Sequence, residues 1–179
     1  MRWAGMARSA LESLARILDL LGIEWMLFGA LAANLYRAET RLTGDTDVLI
    51  SSTGAEFGRI ETALRSAGWE AFRATPDGSL LRVRHTEFGI ADLVFSGTDF
   101  EREAIGRSRA EELAEGLTVR VPTPEDVVVF KLIAGRAKDL ADIESVLDAN
   151  RPLDHAYIEH WAAIWDVTER WTALHSRRS

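Results

Sequence analysis

The sequence predicts an α+β fold, a mixed β-sheet flanked by helices with a helical C-terminal part, on three observations. Short apolar runs bounded by glycine or polar turns alternate with helix-periodic segments as far as about residue 121. From Thr123 onward the periodicity is helical throughout. No repeat, low-complexity stretch or linker interrupts the 179 residues, so one domain is expected over 1–179, with about 1–121 as the α/β core and about 122–179 as the C-terminal helices.

In order, Ala7, Ala10, Leu11, Leu14, Leu18 and Leu21 recur at helical spacing, and Gly22 stops that helix. "IEWMLFG" reads as a buried strand ending at Gly29, after which "ALAANLYRA" returns to helix-compatible residues. A strand Thr46 to Ile50 follows, then a loop and a helix stopped by Gly68. "SLLRVRH" and "FGIADLVFS" flank a short polar turn, the pattern of a β-hairpin. "FEREAIGRSRAEELAEG" is expected to be a helix, whole or broken, and "LTVRVP" the last strand. "TPEDVVVFKLIAG" opens a helix with Thr123 at the N-cap, Pro124 at the first helical position and acidic residues in the first turn. "KDLADIESVLDA" and "LDHAYIEHWAAIWDVTERWTAL" predict two more helices.

Composition excludes several classes. A formal charge of −7 argues against holding nucleic acid by a basic overall field. The absence of cysteine removes disulfides and thiolate zinc sites, and suits a reducing, cytoplasmic setting. The longest apolar run, Trp25 to Ala33, is far short of the roughly 20 residues that span a bilayer. No GxxxxGK[ST], GxSxG or HExxH motif is present, and His155 and His160, five apart, diverge on a helix. The chain's two lysines, Lys131 and Lys138, fall in one short segment. Trp161, Trp165 and Trp171 read as packing or subunit-contact residues.

The chemistry concentrates on aspartates. Side chains two apart on a strand share a side, so Asp45 and Asp47 project together, and like charges so placed call for solvent or a cation. Asp92 is a lone charge in "FGIADLVF", costly unless paired or metal-bound. Gly29 ends a strand and opens a helix, a geometry in which backbone N–H groups can meet a phosphate. Lys131 interrupts the apolar "VVVFKLIA" and must reach solvent or a partner.

In this order, "FGA", "DTDV" and "ADLV", the sequence resembles the nucleotidyltransferase (polymerase β-like) superfamily, whose pattern is hG[GS], Dh[DE]h and a third acidic strand residue. "RLTGDTDVLI" and "FKLIAGRAKDLADI" further resemble the AbiEii-type toxin and minimal nucleotidyltransferase branch. The resemblance spans roughly Ile23 to Leu147. It implies a nucleotidyltransferase fold in which Asp45, Asp47 and Asp92 are the catalytic, metal-holding carboxylates, with Asp92 helping to deprotonate an acceptor hydroxyl. Gly29, Ala30, Arg41, Thr43, Lys131 and Lys138 would then contact the nucleotide. Ala30 stands where the pattern has Gly or Ser, and Thr46 where it has an apolar residue.

The implied activity is transfer of a nucleoside monophosphate from an NTP to a hydroxyl, with magnesium as cofactor and manganese as its substitute. Implied partners are the NTP, an acceptor such as tRNA or a protein, and the cognate antitoxin of a toxin–antitoxin pair. Two alternatives stand beside this: a catalytically silent protein of the same fold that binds a nucleotide or partner, and a small-molecule, antibiotic-type nucleotidyltransferase.

Overall fold

The computed structural model describes residues 2–40, 43, 45–52, 56–149 and 151–176, with the backbone alone considered for 2–8. The chain divides into two compact units, one of residues 1–31 and 43–122, the other of 32–42 and 123–179.

The first unit is built on a five-stranded mixed sheet in the order β1-β2-β5-β4-β3. Its strands are β1 (Trp25–Phe28), β2 (Thr46–Ile50), β3 (Glu70–Arg73), β4 (Leu80–His85) and β5 (Gly89–Phe95). β2 runs parallel to β5, and the other pairings are antiparallel. The alternation is clean in β4, where Leu81 and Val83 are buried while Arg82 and Arg84 are exposed. Helices α1 (Arg2–Leu20) and α3 (Phe57–Ser66) flank the sheet, and α4 (Asp99–Arg107) packs near β2. Ala10, Leu14, Leu18, Ile60 and Leu64 reach zero exposure on α1 and α3, which places the core between these helices and the sheet. No helix among the described residues is long and apolar enough to cross a membrane.

Two strands depart from the sequence expectation. Glu70–Arg73 adds a short edge strand, and Arg109–Ala114, expected to continue a helix, is strand β6, paired antiparallel with β7 (Leu117–Val121). Ala, Glu and Leu favour helix only by tenths of a kcal/mol, and the tertiary setting overrides them. Ser108 ends α4 by donating its hydroxyl to the Ile105 carbonyl at 2.5 Å. Arg120 of β7 then donates to the Ser108 Oγ and carbonyl at 2.8 and 2.7 Å, fixing the hairpin's open end. Leu117, Val119 and Val121 bury the other side of β7.

The second unit holds α5 (Pro124–Ala134), α6 (Ala137–Asp148), α7 (His155–Ile164) and α8 (Thr168–His175). Thr123 caps α5 as expected, and Asp126 completes a capping box. Gly135 closes α5 in the left-handed region, φ 61°, separating it from α6. The last expected helix is two. Asp166 adopts φ 54° after α7, and the Val167 N–H reaches back to the Ala162 carbonyl at 2.8 Å, a Schellman-type stop. Aspartate tolerates the left-handed region better than most residues, so a sequence without glycine still breaks there.

Candidate functional site

The site begins where β1 meets α2 (Gly29–Asn34). Gly29 sits at φ +66°, and a Cβ there would collide with the Asp47 carboxylate, lying only 2.8 Å from its Cγ. Glycine is therefore required both by the backbone angle and by the approach of Asp47. Phe28 is the antiparallel partner of Asp47, so the turn follows directly from the β1–β2 register.

On the other side of β2, Asp47 is opposite Asp92 of the parallel strand β5, and Asp92 is in turn opposite Arg82 of β4. Residues directly opposite share a face, so Asp47, Asp92 and Arg82 form one row across three adjacent strands. Asp45 precedes Asp47 by two positions and is exposed, while Thr46 points into the core. Arg82 grips Asp92 with both ends of its fork: Nε donates to Oδ1 at 2.8 Å and Nη2 to Oδ2 at 2.7 Å. That hydrogen bond, then the charge of Asp92 and, more weakly, those of Asp45 and Asp47, hold the guanidinium further in its charged form. The lone charge on β5 thus has an arginine partner, which sequence reading did not name. The signal lay in the hairpin: alternation in "LLRVRH" turns Arg82 outward, and closing a three-residue loop between His85 and Gly89 brings Arg82 level with Asp92.

The structure brings Gly29, Asp47 and Asp92 together and leaves Asp45 exposed at the entrance of β2. Ala30 follows Gly29 in α2, and Thr43 is buried. Arg41 lies outside the described residues.

The expected lysines belong to the second unit. Lys131 is not at a surface: its ammonium donates to Asp139 Oδ1 at 2.9 Å and contacts Asp142 Oδ2 at 2.8 Å, with all three side chains buried. Arg136 joins Asp139 and Arg37 joins Asp142, so five charged groups form one network. Burial opposes ionisation of Asp139, but hydrogen bonds and charge from Arg136 and Lys131 outweigh it and hold its pKa below the usual carboxylate range. Lys138 is exposed on α6.

Carboxylate oxygens suit a hard divalent cation, and in this row both oxygens of Asp92 are engaged by Arg82. The donor set fits a metal in chemistry. In the arrangement observed, no three Asp, Glu or His side chains among the described residues converge to hold one.

No protein-family model matches the chain, and no curated protein matches it. Among solved structures it is similar to the antibiotic-resistance factor ANT(2'')-Ia, with TM-score 0.59 and 17% identity over 99% of this chain and 98% of that one. It is similar to an antigenic nucleotidyltransferase-like protein from Paracoccidioides brasiliensis, with TM-score 0.62 and 17% identity over 96% and 91% of the two chains. It is also similar to the lincosamide antibiotic adenylyltransferase LnuA in its lincomycin-bound form, with TM-score 0.54 and 16% identity over 77% and 96%. Identities this low speak to architecture alone, and the architecture is an α+β nucleotidyltransferase fold.

Proposed function

We propose that the protein is a nucleotidyltransferase that moves a nucleoside monophosphate from an NTP to a hydroxyl, releasing pyrophosphate. The observation that carries this reading is the register that sets Asp47 opposite Asp92, with Gly29 pressed against Asp47. Asp47 and Asp92, with Asp45 at the strand entrance, are the residues that would hold magnesium. When bound, that metal would neutralise phosphate charge and polarise the reacting oxygens. The chain's own contributions are distinct from it. The turn at Gly29 and Ala30 offers backbone N–H groups to the triphosphate, and Asp92 orients and accepts the proton of the acceptor hydroxyl. Arg41 and Thr43, just ahead of the paired aspartates, are proposed as further nucleotide contacts.

For the acceptor, two readings are supported by different observations. The "RLTGDTDVLI" and "FKLIAGRAKDLADI" segments support a toxin component of a toxin–antitoxin pair, acting on tRNA or a protein. Similarity to an antibiotic-resistance factor and to a lincosamide adenylyltransferase supports a small hydroxylated acceptor. The second gains weight because Lys131, Asp139 and Asp142, part of the toxin-like segment, are engaged with one another in a buried network that has a structural use of its own.

Incubation of the full chain with each α-labelled NTP, magnesium and, separately, RNA, protein and small-molecule fractions of a bacterial extract tests both. Label entering one fraction identifies the acceptor class. Nucleotide binding with no label transferred in any fraction would leave the silent alternative.

A further inference from the structure

We infer that Arg82 is the internal counter-ion of the metal-free site, and that Asp47 and Asp92 can share a divalent cation only after Arg82 releases Asp92. This rests on the nucleotidyltransferase reading above and assigns a positioning role to a residue outside the aspartate motif.

Four observations converge on it. Both oxygens of Asp92 are taken by the Arg82 fork, at 2.8 and 2.7 Å, a bidentate geometry that spends the carboxylate's strongest directions on one partner. No three acidic or histidine side chains among the described residues converge on a common point, although the β2–β5 backbone already sets Asp47 level with Asp92. Strand placement therefore need not change for the two carboxylates to share a cation, and what a cation displaces at Asp92 is the Arg82 fork. The Arg82 side chain is 54% exposed against 16% for Asp92, so the long arginine can swing into water while the aspartate stays on its strand. Asp45 and Asp47 lie near enough for Arg82 to feel their charge, so the arginine offsets repulsion across the whole row.

Metal and guanidinium then compete for one carboxylate, and metal occupancy is coupled to the position of Arg82. Removing the guanidinium removes the competitor. A half-exposed ion pair of good geometry is modest in strength, so the gain is about three- to tenfold in affinity.

The test is titration of the nucleotide-free full chain with manganese, followed by electron paramagnetic resonance, for the wild type, Arg82→Gln, Arg82→Lys and Asp92→Asn. The expected result is tighter manganese binding by Arg82→Gln, a smaller gain for Arg82→Lys, and loss of the site in Asp92→Asn. Affinity unchanged or weaker in Arg82→Gln, with loss in Asp92→Asn, would overturn the role of Arg82 and leave the metal site standing. Manganese binding indifferent to Asp92→Asn would overturn the site and the inference together. A second measurement needs no variant: the Arg82 Nε–H resonance, protected by its bond to Asp92, should lose that protection as magnesium saturates the wild-type chain. Its persistence at saturation would overturn the inference even if Arg82→Gln failed to fold.

Discussion

Gly29 is the residue on which backbone and site chemistry meet. Its φ of +66° alone costs a non-glycine residue about 1–2 kcal/mol, and a Cβ would also push on the Asp47 carboxylate. Gly29→Ala should therefore lower stability by at least that amount in urea denaturation and also weaken magnesium-dependent NTP binding. Gly22→Ala is the control, since Gly22 has φ +67° with open space around it: it should show the backbone cost without the binding loss. Ala30 makes a contrasting case. If the turn acts through backbone N–H groups, Ala30→Ser adds at most one hydrogen bond to a charged group, about 1.5–3 kcal/mol at the outside and less where solvent competes. NTP affinity by calorimetry should stay within a few-fold. Transfer activity appearing only in Ala30→Ser would mean that the natural site is silent.

At the scale of elements, the corner between α5 and α6 is held by charge. Lys131 is buried between Asp139 and Asp142, and Arg37 ties 32–42 to the same α6 carboxylate. The Ala38 N–H adds a bond to the Ser145 carbonyl at 2.9 Å. Buried pairs of this kind contribute little when formed from water, but removing one partner leaves the others uncompensated, a loss of about 3–5 kcal/mol. Lys131→Met should thus lower the thermal midpoint strongly. In protein kept folded at low temperature, it should leave NTP affinity unchanged if the lysine is structural, or reduce it if the lysine reaches phosphate. Gly135 belongs to the same corner, because a Cβ there would strike the Arg170 guanidinium, whose Nη1 donates to the Leu132 carbonyl at 2.8 Å.

For the whole molecule, acid stability follows from the carboxylates. Asp139 has its folded pKa lowered, so it stabilises the folded chain above the unfolded value of about 3.9, and that contribution fades as pH falls through the lowered folded value. The thermal midpoint should accordingly be flat from neutrality to about pH 5 and drop below about pH 4, with a shallower drop in Asp139→Asn, whose neutral side chain does not titrate. Asp77, held at about 2 by the Thr75 and Ser79 hydrogen bonds, reports on its own turn. Much of the fold was legible locally. The bounds of β2, the Thr123 cap, the β4–β5 hairpin and the stop at Gly135 all depend on residues within a turn or a strand of one another. The proposed aspartates and Gly29 stand out in the sequence for the same reason, each being a local break in an apolar pattern. Three things were decided only by the tertiary structure. Placing β5 parallel beside β2 set Asp92 opposite Asp47 across 45 residues of sequence (92 − 47). The hairpin with β7 drew Arg109–Ala114 out of helix, because a strand's edge offers a partner that local propensity cannot register. Burial joined Lys131 to Asp139 and Asp142, since which carboxylates meet it depends on how α5 folds back against α6. Sequence determines where a charge is costly; only the packed chain determines which partner offsets it.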